Sequence, residues 1–184
     1  MKPHLFDKVL CPKELYWLYT ELLSTHDWTL NAFARPAPGV DRVFPTIGNM
    51  HIQPGHKWFD YFQSLVFRIK QKADEKKVGM NYNIARVFVN ATFSESTTKL
   101  HTDNDGEKPV HSLLVFLTPV WQKSWLGSFW VDGQEYEFKP GNIVYFNSSE
   151  FHVGDNPIKG CPWIRLTANI VLERLPLFAD KCLY

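Results

Sequence analysis

Cysteine is scarce in this chain. Its three residues, Cys11, Cys161 and Cys182, are scattered and odd in number, which argues against a disulfide framework and against a zinc site built on paired thiolates. They read as reduced thiols. Charge of one sign is lacking too: 20 Lys and Arg against 19 Asp and Glu leave a formal net charge of +1. The broad basic field that nucleic-acid binding relies on is therefore missing, and a nucleic-acid partner is not expected. No apolar run is long enough to span a bilayer. The opening "MKPHLFDKVLCPKEL" has neither the apolar stretch nor the small-residue cleavage site of a signal peptide. The expectation is a soluble, cytoplasmic protein with no membrane partner. Internal repeats and low-complexity segments are also absent. What the sequence does have is apolar and aromatic material: 45% of its 184 residues are hydrophobic and seven are Trp, enough to bury a core in one domain spanning 1–184.

Two periods divide that domain. "CPKELYWLYTELLSTHDW" repeats Leu15, Leu18, Tyr19, Leu22 and Leu23 at three- to four-residue spacing behind Pro12, the pattern of an amphipathic helix with proline in its first turn. "KWFDYFQSLVFRIKQKADEKK" carries a second stripe, Phe59, Phe62, Leu65, Val66 and Ile69, with a solvated charged end. Between them, 31–56 is rich in Pro and Gly and reads as turns, short extended pieces and a lid; 104–111 is a second lid candidate. From Asn81 onward the period changes to two. "IARVFVNATF", "HSLLVFLTPVW", "GSFWVD", "QEYEFKP", "GNIVYFN" and "WIRLTANIVL" are predicted strands parted by turn residues, "VDGQ" the tightest. The division is 1–80 helical and loop support, 81–173 a β core carrying the site, and 174–184 a tail. Strands at this spacing, with helices gathered ahead of them, predict a mainly β fold: a barrel or two-sheet jelly roll with helices packed on one sheet.

The stretch "LHTDND" raises the chemical question. Positions two apart on a strand share a face, so His101 and Asp103 can converge on one ion; an Asx-type turn would use the same residues. About fifty residues on, "PGNIVYFNSSEFHVGDNP" delivers His152 from the end of another strand. Two histidines and one carboxylate from separate strands form a facial triad, which holds Fe(II) on one side and leaves the other open. Thirteen residues further, Arg165 stands in the apolar strand "PWIRLTANIVL", where a guanidinium needs an anionic partner. Thr167 shares its strand face, and the two suit a carboxylate.

The order His101-x-Asp103, His152, Arg165-x-Thr167 resembles the Fe(II)- and 2-oxoglutarate-dependent oxygenases. "FDKVLCPKELYWLYTELL" is similar to the helix that many of them place ahead of the barrel. "KSWLGSFWV" and "FKPGNIVYFNSSEFHVG" are similar to their Trp-then-Gly strand and to the Pro-Gly strand before the last histidine. The likeness runs over 6–173 and is specific over 81–173. It implies a double-stranded β-helix, His101, Asp103 and His152 as iron ligands, and Arg165, assisted by Thr167, on the distal carboxylate of 2-oxoglutarate. It further implies Asn90 as a hydrogen-bond partner of that cosubstrate, O2 as the second cosubstrate, and succinate and CO2 as coproducts. Thr92 and Ser128 depart from the family's usual Tyr and second Gly. Its prolyl-4-hydroxylase-like branch is the nearest in size, so the implied substrate is a peptidyl or free amino acid, proline among them.

Other readings stay open. A nucleobase or other small molecule is an alternative substrate, to which the Asn90 pattern points. A cupin-type metal protein would use the same barrel, but commonly with His-x-His and Glu, and would have no use for Arg165. A degenerate barrel serving only as an interaction module would not need three ligands. Trp121, Trp125, Trp130 and Phe146 are candidates for pocket walls. His111 reads as a core or edge residue, and Arg86 and Arg174 as structural ion pairs or substrate contacts.

Overall fold

The computed structural model describes residues 2–31, 47–80, 82–94, 96, 100–103 and 110–174. Two α-helices are present among them. Helix α1, Pro12–Leu23, starts on proline, whose fixed φ suits a first helical position. It buries Leu15, Leu18 and Leu22, and α2, Phe59–Glu75, buries Phe62, Leu65, Val66, Ile69 and Ala73. These are the apolar stripes predicted from the helical spacing.

The strands are β1 (His4–Phe6), β2 (Thr29–Asn31), β3 (Ile47–Ile52), β4 (Tyr82–Thr92), β5 (Val110–Phe116), β6 (Phe129–Val131), β7 (Gln134–Tyr136), β8 (Ile143–Asn147), β9 (His152–Gly154) and β10 (Arg165–Arg174). Seven form one antiparallel sheet in the order β1-β8-β5-β10-β4-β3-β2, and three form a second in the order β7-β6-β9. The β6–β7 hairpin turns at Asp132 and Gly133, both at positive φ (50° and 70°), the geometry a two-residue hairpin needs.

The fold is thus mainly β with two antiparallel sheets and two described α-helices, and the helices cover one sheet as expected. The sheet also recruits β1 to β3 from the first 52 residues, where the sequence reading had helix, turns and short extended pieces. In β3 the buried Met50 and Ile52 alternate with Asn49 and the exposed His51, a period of two too short to stand out among prolines and glycines. Most of both lid segments, and Cys182, lie outside the described residues.

Alternation splits the large sheet into two faces. Val87, Val89, Leu113, Val115, Ile143, Tyr145, Ala168, Ile170 and Leu172 join α1 and α2 in one core. On the opposite face, Leu114, Phe116, Val144 and Phe146 meet Phe129, Val131 and Tyr136 of the small sheet. Each fully buried side chain of this size contributes about 1.5–3 kcal/mol relative to exposure. Among the described residues no helix is long and apolar enough to cross a membrane.

Candidate functional site

The space between the sheets is where polar residues replace this apolar lining. His101 and His152 pair through their backbones, N–H to carbonyl in both directions at 3.1 and 2.9 Å, which attaches the segment before Asp103 to the edge of β9. The Asp103 N–H then reaches the carbonyl of Ser148, just past β8, at 2.9 Å. Residues 101–103 therefore converge on one site, and the Asx-type turn that the sequence also allowed falls on 104–106, outside the described residues. His101 Nε2 lies 3.9 Å and His152 Nε2 3.5 Å from Asp103 Oδ1, and the three donor atoms lie within 4.8 Å of one another.

Those separations are too long for good hydrogen bonds. The two to Asp103 Oδ1 exceed by less than about 1 Å the separation of about 3 Å between two ligand atoms held about 2.1 Å from a metal at a right angle, a gap that small side-chain rotations would close around a shared ion. The donor set, two imidazole nitrogens and one carboxylate oxygen, fits Fe(II). His152 is buried and its Nδ1 donates to the Glu150 carbonyl at 2.9 Å. A carbonyl only accepts, so Nδ1 carries a proton and Nε2 is the nitrogen that faces Asp103. Phe146 packs against the His152 ring at 4.9 Å and Phe129 at 5.7 Å.

Burial alone would push the Asp103 carboxyl up. The neighbouring His152 and hydrogen bonds from Asn169 and Ser112 outweigh that and bring it down to about 2. Those two donors reach Oδ2 at 2.8 Å each, and Arg86 donates to the Asp103 backbone carbonyl at 2.6 Å. The sequence reading missed Ser112 and Asn169. Their signal was a polar residue at an inward position of an otherwise apolar strand, in "HSLLVF" and "RLTANIVL".

Arg165 lies on the same face, because Leu166, Ala168 and Ile170 point into the helix-side core. It is 3% exposed, its Nε donates to the Gly127 carbonyl at 2.8 Å, and the guanidinium sits 5.4 Å over the Phe138 ring. Nη2 is buried with no hydrogen-bond partner among the described residues. Burial lowers the group to about 10, with Asp155 pulling the other way, so it stays cationic at neutral pH. Two glycines make room for it. A Cβ at Gly154 would stand 3.0 Å from Nη2, and one at Gly127, where φ is +81°, would stand 2.9 Å from the Trp121 ring and 3.2 Å from Arg165 Cδ. Gly154 is two residues beyond His152 on β9, so the guanidinium lies beside that strand about 7 Å along from the histidine.

Thr167 is buried and pairs in register with Asn90, and Arg165 pairs with Thr92. Asn90 Oδ1 accepts from Asn49 Nδ2 at 2.6 Å, and the Asn90 amide N–H groups make no hydrogen bond among the described residues. Ser128, the other departure from the family pattern, donates its hydroxyl to Glu135 at 2.7 Å. Trp121 packs on Phe138 at 4.5 Å and edge-on to Trp125 at 5.7 Å, on the arginine side. Trp130 does not line this space: it alternates with the buried Phe129 and Val131, is 36% exposed, and donates to Asp155 at 2.8 Å. His111 lies on the helix side between Tyr82 and Tyr145, apart from the triad.

No protein-family model and no curated sequence matches this protein. Solved structures do resemble it. A collagen prolyl hydroxylase of Paramecium Bursaria Chlorella virus-1, in complex with 2-oxoglutarate, superimposes with a TM-score of 0.63 at 15% identity over 96% of this protein and 97% of its own length. A prolyl hydroxylase of Trichoplax adhaerens, in complex with a hypoxia-inducible-factor peptide fragment, gives 0.64 at 15% identity over 93% and 83%. HygX of Streptomyces hygroscopicus, with nickel and 2-oxoglutarate bound, gives 0.65 at 14% identity over 94% and 82%. The protein has the fold of the Fe(II)/2-oxoglutarate-dependent oxygenases, prolyl hydroxylases among them.

Proposed function

We propose that the protein is an Fe(II)- and 2-oxoglutarate-dependent dioxygenase that hydroxylates a peptidyl or free amino-acid substrate, proline first among the candidates. The two sheets would then be the walls of a double-stranded β-helix with the site between them. The observation that carries the reading is the Arg165 guanidinium, buried and one nitrogen short of partners, beside the strand that supplies His152. A metal-binding protein with no diacid to hold has no use for that cation, and its burial would be a pure cost.

His101, Asp103 and His152 would hold the ion through two nitrogens and Asp103 Oδ1, with the low-lying Asp103 carboxyl ionised throughout the neutral range. Arg165 would take the distal carboxylate of 2-oxoglutarate. Thr167 on the same strand face, and the Asn90 amide on the neighbouring strand, would supply hydrogen bonds to the cosubstrate. When bound, iron and 2-oxoglutarate supply oxidative decarboxylation to succinate and CO2 coupled to insertion of one oxygen atom of O2 into a substrate C–H bond. The protein's part is orientation and exclusion of water: Phe129 and Phe146 close the apolar side of His152, while the more exposed His101 marks the open side from which substrate would come.

The branch of the family, and with it the peptidyl substrate, is supported by the two prolyl hydroxylases of the same fold. The test is succinate formation from 2-oxoglutarate in the Fe(II)-loaded protein, screened against proline-containing peptides, free amino acids and nucleosides, with the product located by mass spectrometry. A gain of one oxygen atom in the mass of a peptide is the expected result. Substrate-dependent succinate with nucleosides alone would move the substrate to the nucleobase class, and no succinate under any condition would refute the oxygenase reading.

A further inference from the structure

The fold treats the two oxygens of Asp103 differently. Oδ1 faces the imidazoles of His101 and His152. Oδ2 accepts from the Ser112 hydroxyl and from Asn169 Nδ2, both at 2.8 Å. Ser112 Oγ in turn meets Ser148 Oγ at 2.8 Å, and the Ser148 carbonyl is the one that takes the Asp103 N–H. With Arg86 on its carbonyl, Asp103 is tied at the backbone N–H, at the backbone C=O and at one carboxylate oxygen. Only Oδ1 is left toward the histidines.

Neither partner is there for packing. Ser112 is fully buried beside Leu113, and Asn169 is 9% exposed between the fully buried Ala168 and Ile170. Asn169 Oδ1 is buried without a hydrogen-bond partner among the described residues, a cost that an apolar side chain of the same shape would avoid. An ionised carboxylate accepts and cannot donate, so it fixes the amide with Nδ2 toward Oδ2.

We infer that Ser112 and Asn169 are positioning residues that keep Asp103 a one-oxygen ligand, holding Oδ2 off the ion so that a coordination position stays open opposite the triad. The inference rests on the metal reading above. Carboxylates bind ions through one oxygen or two. To bring Oδ2 onto the ion, two charge-assisted hydrogen bonds would have to break, leaving a buried amide N–H unpaired and the Ser112 hydroxyl with Ser148 alone.

Co(II) is the probe, titrated into the metal-free full-length protein with no cosubstrate, so the readout is independent of turnover. Wild type is expected to bind it, and Ser112→Ala and Asn169→Leu to bind it about 10- to 100-fold more weakly, the usual effect of removing a group that orients a metal ligand. In crystals of the Co(II)-loaded Asn169→Leu protein both Asp103 oxygens are expected on the ion. Ser128→Ala, which loses a hydroxyl bonded to Glu135 instead, is expected to shift the unfolding midpoint and leave Co(II) affinity alone. If Ser112→Ala and Asn169→Leu lower the midpoint yet bind Co(II) as tightly as wild type, with Oδ2 still off the ion, the two residues only support the fold and the inference is overturned. Failure of the wild type to bind Co(II) is a separate result that removes the metal reading itself. Ser112→Ala deletes a single atom and carries the measurement if Asn169→Leu does not fold.

Discussion

The large sheet shows one set of strands two ways. On its helix side, alternate residues of β4, β5, β8 and β10 are mostly apolar, His111 being an exception, and most of the apolar ones are fully buried. On its inner side, the intervening positions of the same strands include Arg86, Asn90, Thr92, Ser112, Arg165, Thr167 and Asn169. Neighbours in sequence therefore do unrelated jobs: Ile170 fills the core, while Asn169, one residue earlier, holds a carboxylate. A strand's period of two lets stability and chemistry be written on the same stretch of residues with few of them shared, Phe146 being one that serves both.

The sharpest way to break that separation is to remove a residue from each face. His152→Ala is expected to abolish metal binding and turnover while the protein still unfolds cooperatively; retained activity would remove His152 from the site. Ile170→Ala should do the reverse, costing about 2–5 kcal/mol of stability as a large-to-small core change, with metal affinity unchanged by titration. Arg165→Met is expected to lose 2-oxoglutarate binding, yet to leave the unfolding midpoint of the cosubstrate-free protein unchanged or raised, because a buried cation short of partners is replaced by an apolar side chain. A large fall in that midpoint would instead make Arg165 a structural residue.

The smallest effect is expected at Glu14 on α1, bonded to Arg68 Nη2 and the Tyr61 hydroxyl at 2.7 Å each. Burial pushes its carboxyl up, but the Arg68 and Tyr61 hydrogen bonds and the Arg68 charge more than offset this, and it ends below the ordinary range. A carboxyl lowered on folding stabilises above its unfolded pKa, and that stability is lost as pH falls through the folded one. Glu14→Gln should therefore cost about 0.2–1 kcal/mol near neutrality, as for partly exposed pairs, and nothing at low pH. Chemical denaturation at several pH values checks both the size and the sign.

Sequence pattern was enough for the parts of the fold that are long and regular. The leucine spacing of α1 and the alternation of β4 and β10 need only local periodicity. The three-residue strands β1 and β2 and the six-residue β3 did not stand out, because their pairing is decided by partners far along the sequence: β1 by β8, β3 by β4. At the site, His101, Asp103 and His152 were legible because the donors a metal needs are few and their spacing is distinctive. Ser112 and Asn169 were not, since a serine or asparagine in a strand gains meaning only when the opposite end of its hydrogen bond is known. Trp130 was misassigned to the pocket wall for a related reason: hydrophobicity alone does not say which face of β6 a residue occupies.

The most direct measurement is an anaerobic titration of the Fe(II)-loaded protein with 2-oxoglutarate, followed in the visible region for the weak charge-transfer band that keto-acid chelation of Fe(II) produces. A band that saturates in the wild type and requires far more 2-oxoglutarate in Arg165→Met is the predicted result, tying the triad and the buried arginine to one ligand. Iron that binds to the wild type and never develops the band would contradict it.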